Sequence, residues 1–312
     1  MKRVFFILAV VSIIFFISCD DPDVWIPGMI KPTTEIQFIG VKDMTYSSPV
    51  DMAMDKNGNI YICDRYNDRV LKFDSNLNFL LEWGESGTAN GQFDYPEGIG
   101  IDPEGNVWVP DPNNNRVQKF DSQGNFIAKI GNGYGEGNYL FDWPSDVAID
   151  SKGYIYIVDM NNCRIVVYNK NYEYVREWGE FGTTDTEFKY PISIAIDKWD
   201  NIYVCDEQNL EIKKFTRTGT FLKKWASDSA YWADPYYINV DDLGYLWVAE
   251  RGNGGIHKFS PEGKELLFWR DWGPEDYQIT ETMSILTTGN HVFVLNVGPD
   301  QIKIFEQDLL FE

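Results

Sequence analysis

Histidine, cysteine and basic residues are scarce in this sequence. Among 312 residues it has 2 His, 4 Cys and 27 Lys or Arg, against 48 Asp or Glu, for a formal net charge of −21. A charge of this sign repels the phosphates of nucleic acids and the headgroups of anionic lipids, so we expect no nucleic-acid partner. The same charge favours cationic partners.

The few cysteines do not indicate a disulfide framework. Apart from Cys19 near the N-terminus they are Cys63, Cys163 and Cys205, an odd number that cannot pair completely within one chain. Cys63 and Cys205 occupy the same place in two sequence repeats, so we interpret both as small buried strand residues. The sequence also lacks a redox Cys pair, a Ser-His-Asp order and a Gly-rich phosphate loop.

Long apolar runs are missing except at the N-terminus, where two basic residues precede the segment Val4–Ile17. At about 14 residues, this segment is shorter than the roughly 20 residues that span a bilayer as a helix. A secretory signal is therefore favoured over a permanent transmembrane helix.

The signal ends in Phe16-Ile17-Ser18-Cys19, which resembles the lipobox of bacterial lipoproteins except that Phe16 replaces the usual aliphatic residue. The resemblance implies that Cys19 becomes the lipidated first residue of the mature chain. A plain signal peptide with an incidental cysteine is the alternative. The acidic, Pro-rich stretch that follows reads as an extended tether, long enough to hold the folded body up to about 45 Å from the bilayer.

The rest of the sequence repeats with the period of a propeller blade. Short apolar strands alternate with turns rich in Asp, Asn and Gly, and no window has a helical period over three turns. Five copies are headed by Pro49, Pro96, Pro144, Pro191 and Pro235, and a degenerate sixth begins near Met283. The pattern predicts an all-β fold, a six-bladed β-propeller of four-stranded blades.

The last copy stops where every earlier copy begins its fourth strand. Its third strand is Gln301–Phe305, and the sequence ends at Glu312. The segment Glu35–Gly40 matches the fourth-strand pattern of Leu80–Gly84. We therefore expect the N-terminal strand to complete the sixth blade, which would close the ring and remove an exposed sheet edge.

The copies resemble NHL repeats, in which an Asn-(Ile/Val)-(Tyr/Trp)-x-x-Asp strand is followed by a polar loop and Arg-(Val/Ile)-x-x-(Phe/Tyr). Residues 59–73 and 106–120 match in full, and 154–168 departs only at its first position. The resemblance covers residues 33–312 and implies an NHL-repeat six-bladed β-propeller lipoprotein. We divide the chain into a signal peptide (1–18), a lipid-anchored tether (19–32) and the propeller (33–312).

The acid that ends the second strand of each blade has two interpretations. Asp64, Asp111 and Asp159 either bond to the following loop, as an Asx turn or a salt bridge to the repeat's Arg, or form an acidic ring at the channel mouth. Later copies lose the Arg, so only three blades keep the full pair.

We predict a ligand-binding surface on the face where the loops between second and third strands meet the connections between blades. Aromatic side chains beside charges suit a protein, peptide or glycan ligand. The candidates are Arg65, Tyr66, Tyr95, Asp111, Trp143, Asp159, Tyr190, Asp206, Glu207, Glu250 and Arg251. Alternatively, Tyr95, Trp143 and Tyr190 only wedge between blades.

Metal-dependent enzymes occur among related propellers, including a zinc-dependent lyase and calcium-dependent lactonases. His257 falls in a third strand and His291 in a turn on the opposite face, so they cannot form a three-His zinc site. Calcium takes six to eight oxygens in loose geometry, so the acidic composition leaves a calcium site open.

We therefore expect a monomeric binding or scaffold module without a cofactor and without catalytic residues. It would be lipid-anchored in the bacterial cell envelope, outside the cytoplasm, and would contact the membrane through that anchor only. The alternative is a metal-dependent (calcium) hydrolase or lyase with its site in the central channel.

Overall fold

The computed structural model describes residues 36–43 (backbone only), 49–226, 232, 234–251, 254–269, 279, 281–296 and 301–307. Within these residues, 24 strands form six four-stranded antiparallel sheets. The innermost strands of the sheets contact one another in chain order around a ring that closes on itself. The predicted all-β, six-bladed β-propeller is confirmed.

Each blade runs from an innermost strand beside the central channel to an outermost strand at the rim. Blade 1 contains β2 (Pro49–Met54), β3 (Ile60–Asp64), β4 (Arg69–Phe73) and β5 (Phe79–Trp83). Blade 2 contains β6 (Gly100–Ile101), β7 (Val107–Asp111), β8 (Arg116–Phe120) and β9 (Phe126–Ile130). Blade 3 contains β10 (Pro144–Ile149), β11 (Ile155–Asp159), β12 (Arg164–Tyr168) and β13 (Tyr174–Trp178). Blade 4 contains β14 (Pro191–Ile196), β15 (Ile202–Asp206), β16 (Glu211–Phe215) and β17 (Phe221–Trp225). Blade 5 contains β18 (Pro235–Val240), β19 (Leu246–Glu250), β20 (Ile256–Phe259) and β21 (Glu265–Trp269). Blade 6 contains β22 (Thr282–Thr288), β23 (His291–Asn296), β24 (Gln301–Gln307) and β1 (Ile36–Asp43).

Blade 6 is built from both ends of the described chain. Its strand order is β22-β23-β24-β1, so the N-terminal strand is the outermost one. The backbone of β1 pairs antiparallel with β24, from Ile36 opposite Gln307 to Asp43 opposite Gln301, with a register shift between Phe38 and Gly40. The predicted closing strand is confirmed.

The second strand of each blade is buried on both faces because neighbouring blades pack against both sides of the sheet. All five residues of β3, β11 and β15 are buried, whereas the outermost strand β5 is largely exposed. Such strands need continuous apolar sequence instead of strict alternation. Cys63 and Cys205, both 0% exposed, lie in two of these strands, and the described cysteines are free thiols.

An aspartate fixes the turn between the first and second strands. One oxygen of Asp55 accepts the backbone N–H of Asn59 at 3.0 Å, and the other accepts the hydroxyl of Tyr61 at 3.1 Å. The arrangement recurs at Asp102, Asp150, Asp197 and Asp241, with Trp108, Tyr156, Tyr203 and Trp247 as the ring donors. The aromatic residue of each repeat is thus buried with its polar atom satisfied, which avoids the cost of an orphaned donor.

Candidate functional site

The loops between second and third strands and the connections between blades lie on one face of the propeller, here called the loop face. In blade 1, Pro49 at the start of the innermost strand pairs with Asp64 at the end of the second strand. At the same edge, Val70 near the start of the third strand pairs with Trp83 at the end of the fourth. The predicted arrangement of loops is confirmed. The opposite face carries the tight turns and is called the turn face.

Three of the candidate aromatic residues form a continuous row on the loop face. The ring of Tyr95 lies 5.7 Å from Tyr66 on one side and 5.7 Å from Trp143 on the other, both edge to face. Tyr66 is 61% exposed, and the other two rings are partly exposed. This aromatic row (Tyr66, Tyr95, Trp143) crosses blades 1 to 3, so its rings both pack between blades and present surface to solvent. Tyr190, 38% exposed, occupies the equivalent position before blade 4.

The residues that precede three blade-heading prolines have an unusual backbone conformation. Tyr95, Trp143 and Tyr190 have φ angles of 66°, 61° and 57°. Left-handed backbone costs a residue with a side chain about 1–2 kcal/mol. Hydrogen bonds from the preceding blade hold it in place, because the N–H of Tyr95 donates to Asp68 Oδ1 at 2.9 Å and that of Trp143 to Asn115 Oδ1 at 3.4 Å. The rings are therefore oriented by a constrained backbone.

A buried ion pair supports the aromatic row from beneath. Arg65 pairs with Glu97, and its guanidinium lies 4.9 Å from the ring centre of Tyr95. Glu97 Oε1 also accepts the hydroxyl of Tyr236 at 3.1 Å, and the backbone oxygen of Glu97 accepts that of Tyr237 at 2.9 Å. Burial raises the pKa of Glu97, while Arg65 opposes that shift. Because blades 2 and 5 lie on opposite sides of the ring, these contacts close the channel at the loop face.

Two further candidates meet on the other side of the channel mouth. Arg251 Nη2 lies 2.9 Å from Glu207 Oε1, and its Nε lies 3.2 Å from Asp234 Oδ2. The Arg251 guanidinium also stacks on Tyr236, 4.1 Å from the ring centre. Its side chain is 42% exposed, so this cluster contributes a charged surface across the channel mouth from the aromatic row.

The acids at the ends of the second strands lie below the loop face. Asp64, Asp111, Asp159, Asp206 and Glu250 are all 0% exposed. Asp111 Oδ2 pairs with Arg116 at 2.7 Å, while Oδ1 accepts the N–H of Asp94 at 2.7 Å. Asp159 Oδ2 likewise pairs with Arg164 at 2.8 Å, and Asp159 Oδ1 accepts the N–H of Asp142, also at 2.8 Å. These contacts support the loop-anchoring interpretation, in which the acids hold the loops that carry the aromatic row.

Sequence reasoning missed the basic side chains, Lys213 and His257, that replace the repeat's Arg in blades 4 and 5. There the third strand supplies a cation two residues later, so that Lys213 Nζ lies 2.7 Å from Asp206 Oδ2. His257 Nε2 likewise lies 3.5 Å from Glu250. Residues i and i+2 of a strand share a face, so both positions reach the same acid. A search for a cation at either position would have found these pairs.

The histidines do not converge on a metal site. His257 is buried in β20, where its Nδ1 lies 2.5 Å from Glu265, whereas His291 begins β23 at the turn face. Burial alone lowers the pKa of His257, but its bonds to Glu250 and Glu265 raise it above the usual value. Across the part of the chain that the structure describes, no three His, Cys, Asp or Glu side chains are grouped to hold a metal ion.

The central channel carries a polar ring near the loop face. In five blades the third residue of the innermost strand contributes to this ring: Asp51, Asp146, Ser193, Tyr237 and Ser284. Gly98, two residues after Pro96, holds the equivalent place in blade 2 and adds no side chain. Asp51 Oδ2 accepts the N–H of Ile99 at 3.0 Å, and Asp146 Oδ2 accepts that of Ile194 at 2.8 Å, each from the next blade. The ring therefore links neighbouring blades.

The channel acids do not fit the calcium alternative. Burial raises the pKa of Asp51 to about 7 and also raises that of Asp146, with Asp51 adding to the shift. Asp51 accepts three hydrogen bonds from protein donors and Asp146 accepts two. Calcium requires six to eight oxygens, whereas these two carboxyls supply at most four, and we derive no chemistry through such an ion.

The N-terminal candidates lie outside the described residues. These are the signal peptide, Cys19 and the tether. In the described part of the chain, no helix has the length and apolar character needed to cross a membrane.

Two families match parts of this sequence. Residues 102–179 match a family described as a 6-bladed beta-propeller, and residues 46–73 match the NHL repeat. No curated protein matches the chain.

Solved structures share the fold at low sequence identity. A catalytically inactive virginiamycin B lyase from Staphylococcus aureus, solved with quinupristin, is 16% identical over 85% of this chain and 82% of its own, with a TM-score of 0.62. A gluconolactonase from Xanthomonas campestris is 13% identical over 84% and 87%, with a TM-score of 0.64. A protein of unknown function from Bacteroides caccae is 12% identical over 76% and 82%, with a TM-score of 0.57. At such identities the likeness concerns the fold alone, and the chain is a six-bladed β-propeller in which residues 46–73 match the NHL repeat.

Proposed function

We propose that this protein is a binding module of the bacterial cell envelope, whose loop face holds a basic peptide segment of a partner protein. The observation that carries the proposal is the aromatic row, in which three partly exposed rings touch one another across blades. Tyr and Trp dominate binding hot spots because their rigid rings offer a large contact area with little loss of side-chain entropy.

The charges around the row favour Lys and Arg side chains in the ligand. Asp94 and Asp142 directly precede Tyr95 and Trp143, and each is held by an Asn of the adjacent loop, at 2.8 Å and 2.9 Å. A cation over an aromatic ring gains about 0.5–2 kcal/mol, and the net charge of −21 attracts basic segments over longer distances.

The site is also preorganised. The left-handed backbone at Tyr95 and Trp143 fixes the direction in which both side chains leave the main chain. The buried Arg65–Glu97 pair contacts the ring of Tyr95 and supports it. Little ordering remains to occur when a ligand binds, which favours affinity. Several loop-face acids are already engaged in ion pairs, such as Glu97 with Arg65 and Glu207 with Arg251, an arrangement suited to binding more than to proton transfer.

We expect Trp143→Ala and Tyr66→Ala each to weaken binding of a fluorescent hexa-arginine peptide about tenfold, the usual range for a hot-spot aromatic. Neither change alters the charge of the protein, so non-specific attraction is unaffected. The matched control is Trp199→Ala, because Trp199 is 59% exposed on the turn face. Fluorescence anisotropy at physiological salt measures the affinities. Equal affinities for all four proteins would contradict the proposal, as would tight binding of neutral glycans without binding of the peptide.

The proposed envelope location rests on the lipobox resemblance around Cys19. We expect the full-length protein expressed in bacteria to incorporate labelled palmitate and to sediment with membranes. Cys19→Ala should abolish palmitate incorporation, and protein that has lost its signal should no longer sediment with membranes, because a lipid chain would be its membrane anchor. Cys63→Ala is the matched control and should leave both unchanged. Membrane association of the Cys19→Ala protein after signal removal would contradict the anchor.

A further inference from the structure

The central channel is a well that is closed at the loop face and open at the turn face. Its volume is about 310 Å³, at the lower end for small-molecule sites. The innermost strands β2, β10 and β18 begin with buried residues and end with two partly exposed ones, so access is from their C-terminal ends. At the other end, Tyr236 and Tyr237 reach across to Glu97.

The closed end of the well holds two carboxyl groups. Asp51 and Asp146 come from blades 1 and 3, on either side of Gly98 in blade 2. A Cβ on Gly98 would lie 2.6 Å from Asp146 Oδ1, so the absence of a side chain lets this carboxyl occupy its place. Asp51 is 7% exposed and Asp146 is 3% exposed.

These acids have no cationic partner among the described residues. The well is lined without Lys, Arg or His, and the causes that shift the pKa of Asp146 include repulsion by Asp51. Several other buried acids in the fold have a cation, such as Lys213 beside Asp206. Burying uncompensated carboxylates is unfavourable, and a positive charge between them would offset that cost.

The open end of the well is apolar. A collar of partly exposed side chains surrounds it, formed by Met54, Ile101, Ile149, Ile196 and Val240. A metal ion, or an ammonium ion without an apolar body, would bury no apolar surface against this collar, so the collar would add nothing to its affinity. A molecule with an apolar body and a single cationic head would match both ends of the well.

We propose that this well binds a small organic cation, namely a primary ammonium group on an alkyl or aryl body. The ammonium donates hydrogen bonds to Asp51 and Asp146, and the body packs against the collar. This site faces away from the aromatic row, so it is independent of the peptide-binding proposal. Because burial raises the pKa of both acids, binding should strengthen as the pH rises through about 7, where Asp51 becomes ionised.

The experiment is calorimetric titration of residues 20–312, the tether and propeller without Cys19, with hexylammonium chloride at pH 8. Hexanol and calcium chloride serve as alternative probes. We expect one hexylammonium per protein and at least tenfold weaker binding of hexanol. Asp146→Asn and Asp51→Asn should each weaken the ammonium at least tenfold. Asp121→Asn, an acid in a surface turn outside the well, should leave its affinity unchanged.

A variant at the mouth of the well tests the proposal even if the Asp51 and Asp146 variants fail to fold. Ile196→Lys places a positive charge at a partly exposed collar position and should weaken hexylammonium while circular dichroism shows the native fold. If hexanol binds with the same affinity as hexylammonium, the well acts only as an apolar cavity and the proposal is overturned. Absence of binding, or displacement of the amine by calcium, would overturn it as well. Loss of hexa-arginine binding in the loop-face variants should not change the hexylammonium affinity.

Discussion

Deletion of residues 33–40 is expected to destabilise the whole propeller in one cooperative step. The deletion removes most of β1, whose backbone pairs with β24 along seven positions. Without it, β24 becomes an exposed edge and blade 6 is left with three strands, so the ring loses its closure. We expect a loss of about 5 kcal/mol or more, a large part of the stability of a typical protein.

Thermal unfolding followed by circular dichroism and by tryptophan fluorescence measures this effect. The melting temperature should fall by about 10 °C or more, since each kcal/mol shifts it by roughly 2–4 °C in proteins of this size class. Deletion of residues 20–30, which leaves β1 intact, is the control and should change little. A melting temperature within about 2 °C of the full propeller would show that β1 does not close the ring.

The fold could be predicted from the sequence because propeller blades are local. Each of the first five blades forms from about 45 consecutive residues, and its turns are fixed by short-range contacts such as Asp55 with Asn59. Four of the blade-heading prolines begin innermost strands, as Pro144 begins β10. The exception is blade 2, where Gly98 and Gly100 follow Pro96 and only Gly100–Ile101 pairs as an innermost strand.

The candidate site was less predictable because its contacts cross the ring. Tyr236 bonds to Glu97 although 139 positions separate them, and neither residue is part of the repeat pattern. The residue before a proline is usually extended, so the left-handed backbone of Trp143 could not be expected from its sequence. The sequence suggested these aromatic residues as candidates for a binding surface, but their mutual contacts and their buried support required the structure.

Loss of the cation in blade 4 is expected to have the second large effect. Lys213 and Asp206 are both 0% exposed, and Lys213 also donates to the backbone oxygens of Thr184 and Glu187, at 2.9 Å and 2.6 Å. In Lys213→Met the carboxylate stays buried without its cation, and two carbonyl groups lose their donor. Removing one partner of a buried pair costs about 3–5 kcal/mol, so urea unfolding should show a loss of this size.

The neighbouring strand offers a matched control for this change. Lys224 lies directly opposite Lys213 in the register of β16 and β17, but its side chain is 40% exposed and pairs with Glu211. Lys224→Met should therefore cost less than about 1 kcal/mol. Combining Lys213→Met with Asp206→Asn should recover part of the loss, because the buried charge is then removed together with its partner. A single-variant loss equal to that of Lys224→Met would mean that the cation at this position contributes only packing, and the loop-anchoring role of the second-strand acids would have to be abandoned for blade 4.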